Sequence, residues 1–397
     1  MRRICTIIIG LVFFASGLFK LIDPVGTSLI VRSYLEFFHV GFISGTSQLL
    51  GFGISLLEAL TGLALLGGAL RRLAAKTAIG MMAFFTVITL ILTIANPQMD
   101  CGCFGEAIHL TNAQTFIKNL ILCGLVAVAF IPLPKTSVFK SVFGVLGAIT
   151  LCIGIYSNFF LPLWDFTDFV EGDRLYDTTR PFSSAKAAEP GFIYEKDGEQ
   201  KEFSLDALPD STWTFVRAGE VEAQKTPTNY IPVSAPDGSV CDSLLLSGKV
   251  MAVSVYDAEA MMPTNWTEAA HLLKSAAGKG IRPILLAASA PETLEQMLET
   301  LPTEERLQLL MVAYCSDHKV LMTFNRSNGG AVLLDEGLIA EKWSAASLPS
   351  DNKMQEIATK EPGTLYAGAS VPGRLYLSAF IILAIFLSLY TYRKKTL

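Results

Sequence analysis

Charged residues are scarce in this chain of 397 residues, and they are unevenly placed. Asp, Glu, Lys and Arg make up 17% of the sequence, against about 25% in an ordinary soluble protein. Residues 1–161 hold 5 acidic and 10 basic residues, whereas residues 162–370 hold 31 acidic and 17 basic ones. The one long polar segment is therefore acidic and would repel phosphates, which argues against a nucleic-acid partner.

Long apolar runs replace the missing charges. A membrane helix needs ~20 mostly apolar residues, and six segments qualify: 4–22, 47–70, 73–95, 111–131, 138–161 and 375–391. The first run lacks a small-x-small cleavage site and further spans follow it, so we interpret it as a retained helix rather than a signal peptide. The sequence predicts a multi-pass α-helical membrane protein whose first partner is the lipid bilayer.

The basic residues near the ends of these spans predict its orientation. With the N-terminus inside, ten Lys and Arg residues lie at cytoplasmic ends and four (Lys20, Arg32, Lys118 and Arg374) at outer ends. Both termini are then cytoplasmic, and the soluble segment lies outside, in the periplasm if the cell has one. We expect a transmembrane bundle over 1–135, a fifth membrane helix over 136–161, a linker and small β-rich region over 162–248, an α/β domain over 249–350, a linker over 351–374, and a final membrane helix with a basic tail over 375–397.

The α/β domain is predicted from strands at 249–256, 281–287, 309–314, 330–334 and 338–343 that alternate with helices. This order resembles a thioredoxin-like domain. Redox-active thioredoxins carry Cys-x-x-Cys after the first core strand, where this chain has residues 257–263 without cysteine, and Gly329 stands where their cis-proline would be. The resemblance therefore implies a redox-inactive domain used for binding or spacing.

A tight cysteine pair lies in the predicted outer loop, in the sequence Asp100-Cys101-Gly102-Cys103. A disulfide across one intervening residue is strained, and strained, exposed disulfides are more oxidising. The pair thus favours an exchangeable bond. Two alternatives stay open: structural or unassigned cysteines, and part of a metal site with His109, although no second His/Cys cluster completes one.

Ionisable residues inside membrane spans are expensive and are candidates for function. Glu58 lies near the middle of the second span, and Lys20, near the outer end of the first, is its predicted partner. Lys118 ends a polar face of the fourth span that starts at Thr111. That face is either a bundle interface or the wall of a site for a quinone head group, so a membrane quinone is the candidate cofactor.

Three segments resemble the DoxX/MauE group of membrane proteins. They are Gly17-Leu-Phe-Lys20-Leu-Ile-Asp23-Pro24, Glu58-Ala-Leu-Thr-Gly62, and DCGCFG at 100–105 leading into a TNAQTFIKN helix. The resemblance implies a four-helix bundle of the same general kind as membrane disulfide-forming oxidoreductases, and MauE itself is associated with maturing a disulfide-rich periplasmic protein. Such oxidases generally have Cys-x-x-Cys and a second shuttle pair. Here the spacing is Cys-x-Cys, and the other outer cysteines are Cys241 and Cys315.

We therefore expect a thiol–disulfide redox protein with Cys101 and Cys103 as the exchanging pair, supported by Lys20, Glu58, Asp100, His109 and Lys118. A periplasmic client protein is the expected partner. The competing interpretation is a non-enzymatic membrane scaffold whose thioredoxin-like domain binds a periplasmic partner. A transporter is a third, because Glu58 and Lys20 are charged, but no inverted repeat supports it.

Overall fold

Six helices of the computed structural model are long and apolar enough to cross a membrane. The structure describes residues 1–97, 102–108, 110–176, 192–196, 199–203, 212–218, 229–365 and 370–393. The six are α1 (Arg2–Ile22), α3 (Ser47–Gly67, preceded by a 3-10 turn at Gly41–Thr46), α4 (Arg71–Ala95), α5 (Asn112–Phe130), α6 (Ser141–Phe159) and α12 (Ser370–Arg393). All six segments predicted as spans are helices, with ends shifted by a few residues.

One helix of the membrane region was not predicted. Helix α2 (Pro24–Phe37) starts immediately after α1, where the Asp23 side chain accepts a hydrogen bond from Gly26 N and Pro24 occupies the first turn. Both features are typical of helix starts. Its mixed composition hid it from a search for apolar runs. As a result, α1 is followed directly by a second helix, with Asp23 as the one non-helical residue between them.

Helices α1 and α3 pack backbone to backbone. A Cβ atom added at Gly17 would lie 2.4 Å from Ala59 N, and one added at Gly62 would lie 2.3 Å from Phe14 N. Small residues allow this approach, which membrane helices use because lipid offers no hydrophobic drive for their association. Helices α4 and α5 pack against each other on one side of this pair, and α6 and α12 pack against α3 on another.

The soluble part is built on a mixed five-stranded sheet. Its strands are β5 (Lys249–Val255), β6 (Arg282–Ala287), β7 (Ala313–Cys315), β8 (Gly330–Asp335) and β9 (Leu338–Trp343), and they lie in the order β7-β6-β5-β8-β9. The first three pair in parallel, whereas β8 is antiparallel to both β5 and β9. Alternate residues of β5 enter two different cores, one on each face of the sheet, as expected for a covered α/β sheet.

Helices α7 (Pro263–Gly278), α8 (Pro291–Leu298), α9 (Thr303–Met311) and α10 (His318–Phe324) connect these strands. The prediction of a strand over 309–314 was wrong, because α9 continues to Met311 and the strand keeps only three residues. A short apolar run such as Leu309–Ala313 fits the end of a helix as well as a strand. The Glu336-Gly337 turn joins β8 to β9 as predicted, with positive φ at both residues.

Two segments predicted as linkers belong in part to the folded domain. Phe169 and Leu175 are buried against one sheet face, and Leu175 N donates to Gly337 O at 2.8 Å. In the second segment, α11 (Asp351–Thr359) buries Met354 and Ile357 in the other core. Three-residue spacing of apolar side chains in a short polar stretch accounts for this helix.

The predicted β-rich region contains a small separate sheet, with strands β2 (Phe192–Lys196), β3 (Glu199–Phe203) and β4 (Thr214–Ala218) in the order β3-β2-β4. Strand β1 (Cys103–Glu106) lies in the loop between α4 and α5. The segments 177–191 and 219–228 lie outside the described residues.

Two buried ion pairs join the soluble part to the membrane bundle and to the chain that leaves it. Arg326 Nη2 lies 2.8 Å from Asp23 Oδ2, and both side chains are almost fully buried. Lys342 Nζ lies 2.8 Å from Asp165 Oδ2. Burial raises the pKa of Asp165, but the charge and hydrogen bond of Lys342 outweigh this and hold it below its usual value. The soluble domain therefore sits at the end of the bundle where α1 meets α2.

Candidate functional site

Helices α1 to α5 enclose a cavity of about 580 Å³ between them. This is within the ~300–1,000 Å³ range of pockets that hold small organic ligands. Each of the five helices contributes side chains, and Cys103 of the loop between α4 and α5 completes the wall. Most of the lining is apolar, and the polar groups on it include the buried residues Lys20 and Glu58.

The strongest polar feature is an ion pair between Lys20 and Glu58. Lys20 Nζ lies 2.5 Å from Glu58 Oε2, and both side chains are buried. The pairing predicted from the sequence is therefore present, even though the two residues seemed to lie at different depths. The difference disappears because α1 ends deep in the bundle at Asp23, and Gly17 of α1 lies beside Ser55 and Ala59 of α3.

The loop that carries the cysteine pair is held against α1 and α2. Ser16 Oγ donates to Cys103 O at 2.5 Å, and Gly105 lies next to Lys20, with an added Cβ 3.5 Å from Lys20 Cγ. Gly102 has a φ of +59° and faces Ile30 so closely that a Cβ would lie 2.5 Å from that side chain. The absence of a side chain at Gly102 thus allows the loop to pack closely against α2.

Cys101, Asp100 and His109 are predicted site residues that lie outside the described residues, so their positions remain predictions. Lys118 lines the cavity, and its Nζ lies 4.9 Å from the centre of the Phe104 ring. Arg32, one of the four basic residues at the predicted outer ends, pairs with Glu36 at 3.0 Å on the exposed side of α2.

The polar face predicted on α5 divides into two roles. Thr111 and Gln114 form a reciprocal capping box at the start of the helix, which explains their spacing without a ligand. Thr115 and Lys118 point into the bundle, and Thr115 is fully buried. Asn119, which the sequence analysis did not select, also lines the cavity.

Asn119 Nδ2 donates to Thr89 Oγ1 at 3.2 Å and to Phe85 O at 3.4 Å. A buried amide within an apolar run was the signal that could have identified it. Ser16, Ser55 and Thr27 were missed for a different reason, because small hydroxyl residues are common in membrane helices and usually bond to their own backbone. Here Thr27 Oγ1 donates to Lys20 O at 3.0 Å.

Cys241 and Cys315 do not lie together as a pair. Ser234 bridges to Cys315 on one side and to Val240 on the other, which separates Cys241 from Cys315 by an intervening backbone segment. Neither of them is in a disulfide. Burial, and then the charge of Glu292, raise the pKa of the Cys315 thiol, so its reactive thiolate form is disfavoured.

The loop at residues 257–263, where the sequence has no dithiol, lines a pocket together with residues of α2. Asp257 N and O exchange hydrogen bonds with the side chain of Asn328, at 3.1 and 2.6 Å. Gly329, predicted in place of the cis-proline, has a φ of +78° and lies against Met261. These two hydrogen bonds hold the loop after β5 against the loop before β8, next to Arg326.

No group of three or more His, Cys, Asp or Glu side chains that could hold a metal ion is found in the described part of the chain. The site is a mostly apolar cavity whose lining includes a charged pair, a cysteine and several hydroxyl and amide groups. Hydrogen-bond donors around an apolar space suit an uncharged organic ligand.

The six spans and the mixed-sheet domain define a multi-pass membrane protein, which is associated with the lipid bilayer. A family described as "Methylamine utilisation protein MauE" matches residues 1–132, about a third of the chain. A second family, described as a domain of unknown function (DUF8463), matches residues 189–222, which include the small three-stranded sheet. Searches of curated proteins and of solved structures gave no match.

Proposed function

We propose that the protein carries out thiol–disulfide exchange at the outer face of a bacterial inner membrane, with Cys101 and Cys103 as the exchanging pair. The observation that carries this proposal is the position of Cys103. It lies in the wall of a buried cavity within the bundle and belongs to a loop at the end of the bundle that meets the soluble domain. In this position the loop pair would meet a protein client at the end of the bundle and an electron acceptor in the cavity.

The proposed exchange has two balanced steps. In the first, a client thiolate attacks the Cys101–Cys103 disulfide, and the second client thiolate resolves the mixed disulfide, so that the client loses two electrons and the loop pair becomes a dithiol. In the second, the dithiol passes two electrons and two protons to a membrane quinone, which becomes a quinol. The strain of a ring closed across Gly102 favours the first step in this direction.

The soluble domain is proposed to be thioredoxin-like and to bind the client without exchanging disulfides itself. Its strand order, with a parallel β5–β6 pair next to an antiparallel β8–β9 hairpin, supports the fold. The lack of a dithiol in residues 257–263 and the raised pKa of Cys315 support the binding role. The excess of basic residues at the predicted cytoplasmic ends supports a periplasmic location for this domain and cytoplasmic termini.

Thiol trapping in cells tests the exchange. We expect Cys101→Ser and Cys103→Ser each to abolish oxidation of client thiols, and one of the two to accumulate a mixed disulfide with a periplasmic protein. Cys123→Ser is the matched control, because Cys123 lies in the same bundle on α5 and contacts Thr86 Oγ1 at 3.3 Å. If both loop variants leave client disulfides unchanged, the exchange proposal is wrong.

The scaffold function remains a second candidate because of the buried Asp23–Arg326 pair. A fixed joint between the bundle and the soluble domain is what a rigid docking platform needs, and it requires no redox step. The state of the loop pair distinguishes the two. A redox state that follows the supply of membrane quinone supports exchange, whereas an invariant state supports the scaffold.

A further inference from the structure

We propose that the cavity enclosed by helices α1 to α5 binds a lipid-soluble quinone. The head group lies at the Lys20 end, and the isoprenoid tail lies in the mouth between α2 and α4. The redox role of this ligand rests on the proposed function, but its binding does not. The inference is drawn from the shape of the cavity, the chemistry of its two ends and the position of Cys103.

The mouth of the cavity is apolar and opens on the lipid-facing side of the bundle. Four of its lining residues are also exposed on the outside of the protein: Phe38 at 38%, Leu50 at 38%, Phe84 at 54% and Ile91 at 39%. All four are hydrophobic, and they come from the segments around α2, from α3 and from α4. In a membrane such a mouth faces lipid chains, so the ligand enters from the bilayer and has an apolar tail.

The opposite end is polar, and its ion pair is balanced in charge. The carboxylate of Glu58 compensates the ammonium of Lys20 at 2.5 Å, so this pair carries no net charge; Lys118, whose Nζ lies 4.9 Å from the centre of the Phe104 ring, is a further cation on the lining. Lys20 Nζ has three N–H donors, and in the described part of the chain its hydrogen bond to Glu58 uses one of them. An uncharged head group that accepts hydrogen bonds fits this end, and the carbonyl oxygens of a quinone are such acceptors.

Cys103 lies at this same end. Ser16, whose hydroxyl donates to Cys103 O, is four residues before Lys20, so the two side chains share one face of α1. Gly105 of the same loop lies against Lys20. The head group is thus placed between the cysteine loop and the ion pair. A hydrogen bond from Lys20 to a quinone oxygen would stabilise the negative charge that develops there as the dithiol delivers two electrons.

Substitutions at the mouth test the route of entry on the purified full-length chain. Bound quinone is measured by solvent extraction, and affinity by titration with the short-tailed quinone decylubiquinone. Ile91→Trp fills the mouth and should weaken binding about tenfold or more. Leu90→Trp is the matched control, since Leu90 is equally exposed at 41% but does not line the cavity; it should bind as the wild type does.

The polar end is tested with Lys20→Met combined with Glu58→Met, which removes the donor and its carboxylate together, so that no unpaired charge is left. We expect about tenfold weaker binding of decylubiquinone, the effect of one lost charged hydrogen bond, while Ile91 and the mouth are unchanged. Three results would overturn the inference: no quinone bound by the wild type, equal binding by Ile91→Trp and Leu90→Trp, or retention of anionic phospholipid alone, drawn by Lys118.

Quinone binding and oxidation of client thiols, measured separately on the wild-type chain, distinguish this inference from the proposed function. If the wild type binds quinone but does not oxidise client thiols, the exchange proposal fails and the quinone site stands. If it oxidises clients but binds no quinone, the site is wrong and the exchange stands with another acceptor.

Discussion

At the scale of single residues, the Lys20–Glu58 pair is a test of how charge is tolerated inside the bundle. We expect Lys20→Met or Glu58→Gln alone to lower the free energy of unfolding by about 3–5 kcal/mol, because each leaves its buried partner uncompensated. The double variant should cost much less than the sum of the two. Unfolding in detergent, followed by circular dichroism, measures all three.

The exposed pair Arg32–Glu36 in the same bundle is the control. Its side chains are 52% and 57% exposed, and a solvent-exposed pair four residues apart contributes only about 0.3–0.5 kcal/mol. Arg32→Met and Glu36→Gln should therefore change stability little. Strict additivity of the Lys20 and Glu58 effects would contradict the proposed coupling.

The pairing of Lys20 with Glu58 could be predicted because charges are rare in apolar runs, so each one has few partners to choose from. The pairing of Asp23 with Arg326 could not. Arg326 is one of many basic residues in the acidic soluble segment, and no local pattern distinguishes it. Only the folded arrangement of β8 and its preceding loop brings it to the end of α1.

At the scale of helices, the contact between α1 and α3 depends on the absence of side-chain atoms at Gly62. We expect Gly62→Ala to destabilise the bundle by about 1–3 kcal/mol, because its Cβ would lie 2.3 Å from the backbone nitrogen of Phe14 and must push the helices apart. Thermal unfolding of the purified protein measures the loss. Quinone binding should weaken with it, since both helices line the cavity.

Gly53→Ala provides the comparison on the same helix. A Cβ there meets no atom within 4 Å, and alanine is a better helix former than glycine by about 1 kcal/mol. Gly53→Ala should therefore be neutral or slightly stabilising. A loss of stability as large as that of Gly62→Ala would mean that general helix flexibility, and not the contact with α1, explains the glycines of α3.

The elements that the sequence predicted well are those whose pattern has one physical interpretation. A run of about twenty apolar residues fits only a membrane helix, and all six such runs are helices. Helix α2 was missed because it is neither long nor uniformly apolar, and β7 was misplaced because the apolar run at the end of α9 fits two structures. Helix α11 was taken as a linker because its two buried residues are separated by polar ones.

At the scale of the whole molecule, the soluble domain is fixed to the bundle and does not hang from a tether. The contact between them is the Asp23–Arg326 ion pair. Asp23 Oδ1 also accepts a hydrogen bond from Gly26 N at the start of α2, and the nearby residues Lys20 and Thr27 line the cavity. A client bound to the soluble domain would therefore be held at a constant position relative to the cysteine loop. Holding the client next to the cysteine loop would make the reaction between the two thiol pairs effectively intramolecular.

The joint itself gives the last prediction. Arg326→Met should cost about 3–5 kcal/mol of unfolding free energy, because it leaves the Asp23 carboxylate buried and unpaired. Asp23→Asn removes the charge while an amide oxygen can still accept from Gly26 N, so the two changes together should recover most of the loss. Arg306→Met on α9 is the control, since Arg306 makes no side-chain ion pair among the described residues.

Hydrogen exchange distinguishes a loosened joint from a domain that merely unfolds. In Arg326→Met, amides around residues 23–27 and 325–330 should exchange faster, whereas those of β5 and β6 in the centre of the sheet should keep their protection. Client oxidation should fall in the same variant while quinone binding is retained, because the cavity lies within the bundle. Unchanged exchange at both segments would show that the Asp23–Arg326 contact does not hold the domain, and the client would then have to reach the cysteine loop without its help.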